Sequence, residues 1–337
     1  NGWWKGSEAM KAIEDADPKL IVADQKRFDR ISGEPTHPVL IFEEMDLANQ
    51  SEMIDSFIRL DEDECACLLY TSGTTGAPKG VMTSHRSMIA NSTLSMLQGA
   101  AVSQDSSSKG IDWAKHKPTS LLTSPLFHVS GLSAGVVTSL FAGSTTLLYA
   151  GKFSAHKILE LIHKFNVTSW GGAVPTALKR VLDAANETNI SLSSVLVVGG
   201  GGAPMPPALI ERTKEVFPSS KYSFGYGYGL TESGAITIIN WGENLKSNPA
   251  SPGQVMPTVN VELRDEKGQV ILEDNKEGEI FVRSPSVMLG YFNNPEASSE
   301  SLLEDRWLKT GDSGFKEGHL FFISSRRTDL ILRGAEN

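Results

Sequence analysis

Cysteine is nearly absent: among 337 residues only Cys65 and Cys67 occur. They sit in the apolar run Cys65-Ala-Cys-Leu-Leu-Tyr70, where alternation along a strand puts both on one face, too close in sequence for a relaxed mutual disulfide. A disulfide framework is thereby excluded, and a cysteine metal site lacks its second ligand pair. The two are expected to be buried free thiols of a reducing, cytoplasmic compartment. An excess of basic charge is also missing. Lys and Arg number 31 against 40 Asp and Glu, a net charge of −9 that repels nucleic acid and acidic lipid and argues against a nucleic-acid partner. Formal charge disappears altogether from residues 119–150, a length that raises the question of a membrane span. Pro125, His128, Gly131, Gly135, Gly143 and many Ser and Thr residues interrupt that stretch, so it is expected to form a buried strand, a loop, a helix and another strand. No targeting segment is visible, and because the chain opens at Asn1 a native N-terminus is expected to precede it.

What remains is an ordinary globular composition, 40% hydrophobic and 21% charged, long enough for about two domain-sized cores. Up to about Asn240 short β-rich runs alternate with helical patterns, the signature of parallel strands crossed by helices. Strands are expected at Leu20–Ala23, Val39–Phe42, Ala66–Thr71, Ser120–Thr123, Thr145–Tyr149, Val195–Val198 and Ser223–Tyr226. Ser84 can cap a helix over Arg86–Leu97, Ser154 one over Ala155–Phe165, and prolines suit the first turn of Met205–Phe217. Residues 103–118 are polar and without periodicity, which predicts a surface insertion. Beyond Pro249 short strands alternate with turn clusters such as Asp265-Glu-Lys-Gly268, the texture of an antiparallel sheet or small barrel. The division expected is 1–248 for the α/β part, 249–325 for the β-rich part, and 326–337 for a hinge.

The sharpest chemical signal is Leu68-Leu-Tyr-Thr-Ser-Gly-Thr-Thr-Gly-Ala-Pro-Lys-Gly80. A strand runs into a loop dense with glycines and hydroxyls and closes on a lysine. Glycines let backbone N–H groups turn toward an anion, Thr71, Ser72, Thr74 and Thr75 offer hydroxyl donors, and Lys79 supplies a compact positive charge, a combination suited to polyphosphate. It is not the Walker pattern, because only two residues separate Gly73 from Gly76 where four are needed. Nor does Val197-Val-Gly-Gly-Gly-Gly-Ala-Pro204 complete a dinucleotide fingerprint.

The loop resembles the phosphate-binding signature of the adenylate-forming superfamily of AMP-dependent synthetases and acyl-CoA ligases. Further matches follow in the family's order: Pro125-Leu-Phe-His-Val-Ser-Gly131, Gly201-Gly-Ala-Pro204, Gly227-Tyr-Gly-Leu-Thr-Glu232, Gly290-Tyr-Phe-Asn-Asn-Pro295, Thr310-Gly-Asp312 and Arg326-Arg-Thr-Asp329. The resemblance implies an α/β large domain of two βαβ-type subdomains with mostly parallel sheets plus a small antiparallel β-barrel. It also implies roles. Gly73, with its neighbours Thr71, Ser72, Thr74, Thr75 and Lys79, would hold phosphates, Tyr228 would stack on adenine with Gly227 and Gly229 keeping its flanks open, and Gly202 and Ala203 would join the nucleotide set. Thr231 would bond the α-phosphate, Glu232 would hold Mg²⁺, Asp312 would accept from the ribose hydroxyls, Arg326 would contact ribose or phosphate, and His128 would lie beside the acyl carboxylate. The implied co-substrates are ATP and CoA, and the reaction is formation of an acyl-adenylate followed by transfer to the thiol.

An amino-acid substrate would call for a carboxylate near Pro125–Gly131, and no acidic residue lies between Trp113 and Leu159. Gly171, Gly172, Gly199 and Gly200 could leave an apolar channel open, which points to a medium- or long-chain fatty acid. The alternatives are an aryl-acid CoA ligase and a nucleotide-binding module without catalysis, and a homodimer is left open. The resemblance further implies a longer segment ahead of the phosphate loop and a small domain after Asp329 that carries a lysine needed for adenylation, so residues 1–337 alone are expected to bind nucleotide but to adenylate poorly. Thr328 stands at the family's Asp or Lys hinge, and Tyr226 replaces a frequent glutamine.

Overall fold

In the computed structural model, which describes residues 4–31, 36–45, 59–71, 78–203 and 205–326, the β-rich runs of the first two thirds assemble around one seven-stranded sheet. Its strand order is Gln254–Val255, Ala235–Trp241, Gly225–Leu230, Val197–Gly201, Ser169–Ala173, Thr119–Leu122, Thr145–Leu148. From Thr145–Leu148 to Gly225–Leu230 neighbours run parallel. The last two strands are antiparallel. Parallel neighbours need crossovers, supplied by helices Ala155–Phe165, Pro175–Ala185 and Pro207–Val216. The first begins where Ser154 Oγ accepts the Lys157 N–H at 3.4 Å and ends on Asn166 in the left-handed region. A second parallel pair, Ile21–Ala23 with Val39–Ile41, lies in the N-terminal part.

Alternation decides what each face of the central sheet meets. Leu121, Trp170, Val198 and Tyr226 join Ile158, Leu159, Ile162, Leu178, Val181, Leu182 and Ile210 of the three helices in one core. Each such side chain, fully buried, contributes about 1.5–3 kcal/mol. The residues between them, Ser120, Ser169, Gly171, Val197, Gly199 and Gly201, point to the other face and are only partly covered.

Over that second face passes helix His85–Ser108, about 36 Å long at the α-helical rise. It is longer than the sequence pattern implied, and residues 103–108 are its last turns rather than a surface insertion. Ser106 Oγ donates to the Val102 carbonyl at 2.8 Å and receives the Trp113 Nε1–H at 2.9 Å, and Lys109 pairs with Asp105 at 2.8 Å. Backbone bonding by a polar residue here replaces the apolar stripe that usually announces a helix. Strand Ser169–Ala173 went unforeseen for a related reason, since Ser-Trp-Gly-Gly-Ala carries little strand propensity.

The C-terminal part is the antiparallel sheet Asn260–Arg264, Gly278–Arg283, Leu308–Glu317, Leu320–Arg326. Its Leu263, Ile280, Val282, Leu308 and Phe321 share a second core with Ile238 of the central sheet and with Val81 and Tyr291. These last two belong to a third, three-stranded sheet of Gly290–Tyr291, Lys79–Ser84 and Cys65–Thr71. The cysteines in it are free, but Cys65 is exposed and Cys67 only partly covered. They are not a buried pair, because the ladder slips between them at the strand's first residues. Among the described residues no helix is long and apolar enough to cross a membrane.

Candidate functional site

A cleft of about 1960 Å³ lies over the small-residue face and reaches the C-terminal ends of the parallel strands, the end of an open α/β sheet at which ligands bind. Thr71, Lys79, His128, Gly202, Ala203, Gly227, Tyr228, Thr231, Glu232 and Asp312 all line it. Thr71 and Lys79 are ladder partners. Ser72, Gly73, Thr74 and Thr75, between them, lie outside the described residues, as do Thr328 and Asp329.

At the end of the cleft bounded by strand Lys79–Ser84, Lys79 Nζ lies 5.0 Å from the Tyr291 ring centroid, a cation–π distance. The Tyr291 hydroxyl donates to Glu232 Oε1 at 2.9 Å. Glu232 belongs to the tight turn Thr231–Ser233, in which the fully buried Ser233 accepts the Leu230 N–H at 3.0 Å. The turn closes on Gly234 at φ +84°, where a Cβ would lie 2.3 Å from the Ser286 carbonyl oxygen, so only glycine fits. The Glu232 carbonyl accepts the Met288 N–H at 2.9 Å.

Tyr228 and Asp312 meet directly, the tyrosine hydroxyl donating to Oδ2 at 2.7 Å. Asp312 is buried, and its own N–H donates to Thr310 Oγ1 at 3.1 Å. A carboxylate has about four acceptor positions, of which the tyrosine takes one. Arg326 is the ladder partner of Asp312, and its side chain lies outside the described residues. Gly227 and Gly229 do more than clear space beside Tyr228. A Cβ on Gly227 would meet Ile238 O at 2.7 Å and one on Gly229 would meet Ala235 O at 1.7 Å, so the neighbouring strand demands both. Tyr226 packs into the opposite core, its hydroxyl donates to the Pro249 carbonyl at 3.0 Å, and burial pushes its pKa up to about 12.

His128 caps the short turn Val129–Gly131, its Nδ1 accepting the Ser130 N–H at 3.2 Å with Ser130 Oγ 2.8 Å away. An accepting Nδ1 leaves the ring proton on Nε2. Burial holds the pKa below its ordinary 6.5, so the ring is a neutral donor at the cleft wall.

The four glycines once grouped as channel formers separate into two kinds. Gly172, at φ +69°, would place a Cβ 2.3 Å from Ser124 Oγ, and Gly200 would place one 2.6 Å from Met205 Cε. The left-handed backbone calls for glycine at Gly172, while at Gly200 a side chain would crowd Met205 and the Ala173 carbonyl. A Cβ on Gly171 would meet nothing within 4 Å, and one on Gly199 only Gly171 Cα at 3.8 Å.

Among the described residues no group of three or more His, Cys, Asp or Glu side chains could hold a metal ion. Glu232 alone fits a magnesium ion that takes most of its ligands from phosphate and water. Tyr291 went unnoticed in the sequence, since the Gly290–Pro295 motif attaches no role to it. Trp4 packs edge-on against Tyr70 at 5.9 Å and lines the cleft, while Tyr70 donates to Asp15 at 2.7 Å, which with burial pushes the phenol above its usual pKa.

Fold and cleft together define an α/β large domain of the adenylate-forming type. The chain belongs to the AMP-binding enzyme family, whose model matches residues 3–292. It is 30% identical over 352 residues to a 4-coumarate–CoA ligase of Pinus taeda, covering 98% of this chain and 62% of that protein. It thus spans about three fifths of the length of that relative. Among solved structures it is similar to o-succinylbenzoate CoA synthetase from Bacillus subtilis in complex with ATP and magnesium ion, at 29% identity and TM-score 0.78, covering 99% of this chain and 65% of that one. It is also similar to the inhibitor-bound N-terminal domain of FACL13 from Mycobacterium tuberculosis, at 25% identity and TM-score 0.80, covering 97% of this chain and 79% of that one.

Proposed function

We propose that the protein carrying this chain activates a carboxylic acid with ATP, forming an acyl-adenylate, and passes the acyl group to CoA. The observation that carries this reading is the convergence of Lys79, Thr231, Glu232, Tyr228, Asp312 and His128 on one cleft. Two anions must meet in the first step, a carboxylate and the α-phosphate, and at about 4 Å and an effective dielectric near 20 each pair of unit charges repels by roughly 4 kcal/mol. Lys79 and the hydroxyls of Thr71 and Thr231 offset that repulsion and orient the phosphates for in-line attack. Asp312 and Tyr228 hold the nucleoside end. His128 donates its Nε2–H toward the acid. When bound on Glu232, Mg²⁺ would neutralise further phosphate charge.

The acid has no ammonium group in this reading, since residues 114–158 offer no carboxylate to meet one. The cleft continues along the small-residue floor to Pro118, Thr168, Leu196 and Ser223 at the far ends of the strands, which supports a long apolar acid such as a fatty acid. An aryl acid is the second reading, supported by similarity to the 4-coumarate and o-succinylbenzoate enzymes.

ATP–pyrophosphate exchange over a panel of fatty, cinnamic and benzoic acids tests both. Exchange confined to one class names the substrate. If well-folded protein takes up no adenine nucleotide in calorimetry and exchanges with no acid, the reading is wrong.

A further inference from the structure

Helix His85–Ser108 lines the cleft with Ser95, Met96, Gln98, Gly99 and Val102. Its first turn is tied to the end bounded by strand Lys79–Ser84, where Ser87 Oγ donates to the Val287 carbonyl at 3.2 Å, one residue before Met288, the partner of Glu232. Its last turn is tied to the other end. A Cβ on Gly242 would lie 3.3 Å from the Tyr222 carbonyl oxygen and 3.4 Å from Asp105 Oδ2, and Lys109 Nζ lies 5.2 Å from the Tyr222 ring centroid. Tyr222 precedes strand Gly225–Leu230, whereas Thr231 follows it. The helix therefore runs opposite to that strand, and Gln98 lies about 16 Å along its axis from Ser87.

Gln98 lines the cleft there, is only 9% exposed, and its Nε2 has no hydrogen-bond partner. A buried amide with bonds unmade destabilises a fold, and in a ligand cleft it marks where a ligand atom belongs. Its surroundings do not supply one. Nε2 is a donor and finds no acceptor among the described residues, and Val102, one turn further along the helix, is apolar. Among the described residues lysines line the cleft only at Lys79 and Lys309, toward the nucleotide end.

Resting on the acid-activation reading above, we infer that Gln98 is a specificity-determining residue that reads the distal end of the substrate. The substrate is then a carboxylic acid with an apolar body and a neutral oxygen, hydroxyl or carbonyl, on the order of 15 Å from its carboxylate, the span set by helix rise and strand length. The terminal amide torsion of glutamine is soft, so Nε2 turns to an acceptor while Oε1 is available to a hydroxyl proton. Among the described lining residues a distal carboxylate would find no lysine or arginine at this end, where His116 is the one basic side chain.

A matched pair tests this: a long saturated acid and the same acid with a terminal hydroxyl, compared by kcat/KM in thioester formation and by calorimetric Kd in the protein that carries this chain. Wild type is expected to prefer the hydroxy acid by about tenfold or more, the size of one well-placed hydrogen bond. Gln98→Leu should abolish that preference through KM and Kd of the hydroxy acid alone, with no loss of melting temperature. Gln98→Met, unbranched and closer in shape, replaces it if the leucine variant unfolds. Equal binding of the two acids by wild type overturns the inference, as does a Gln98→Leu effect of the same factor on both, and either result leaves acid activation standing. If AMP binds but no acid in the panel does, acid activation itself falls and the role of Gln98 falls with it.

Discussion

Strands Ser169–Ala173 and Val197–Gly201 send alternate residues to two different environments. Trp170 and Val198 are fully buried among three helices. Ser169, Gly171, Val197 and Gly199 face the cleft, and beside Gly171 the space is open. One face of the sheet is thus held by what its side chains fill, and the other works through side chains that are missing. A binding cavity beside a β-sheet need not weaken the sheet, because period-two alternation keeps the two tasks on separate residues.

The severest way to break this contrast is Trp170→Ala, which empties the packed face and removes the Nε1–H donated to Thr123 Oγ1 at 3.0 Å. A loss of about 3–5 kcal/mol is expected, measured by denaturant titration, and a loss below about 1 kcal/mol would deny that face its role. Two nearby glycines then set the faces against each other. Gly200→Val must displace Met205 and the Ala173 carbonyl and should destabilise by about 1–3 kcal/mol. Gly171→Val enters open space, so stability should hold or rise by up to about 1 kcal/mol. The acid should nevertheless bind about tenfold or more weakly while AMP binding stays as it was. Similar melting temperatures for the two variants would show the faces to be equivalent.

The smallest effect concerns His128, on the cleft side. Its folded pKa is lowered by burial from 6.5, so below 6.5 the unfolded chain binds the extra proton first. Its stabilising contribution is fully present above pH 6.5 and fades as pH falls toward the lowered value. Wild type should therefore lose stability relative to His128→Gln on acidification through that window, as read in melting curves, and parallel curves would place the imidazole in water.

Much of this was legible because the chemistry repeats locally. The hydroxyl- and glycine-rich run after Tyr70 suits a phosphate by its residue types alone, whereas Thr231 and Glu232 took their roles only from the family resemblance. Less visible was why particular glycines stand where they do. Gly227 and Gly229 read as clearance for an aromatic ring, yet the carbonyls that exclude a side chain there come from Ile238 and Ala235 on another strand. The length of helix His85–Ser108 was hidden for a similar reason, since Trp113, which secures Ser106, lies beyond the helix end. Contacts across the chain, such as Tyr228 with Asp312, separated by 84 positions, leave no mark on periodicity.

Tyr291 holds Lys79 over its ring and Glu232 at its hydroxyl. One aromatic side chain thus carries an ammonium on its face and a carboxylate at its hydroxyl, so a positive and a negative group are positioned at the same wall by a single residue.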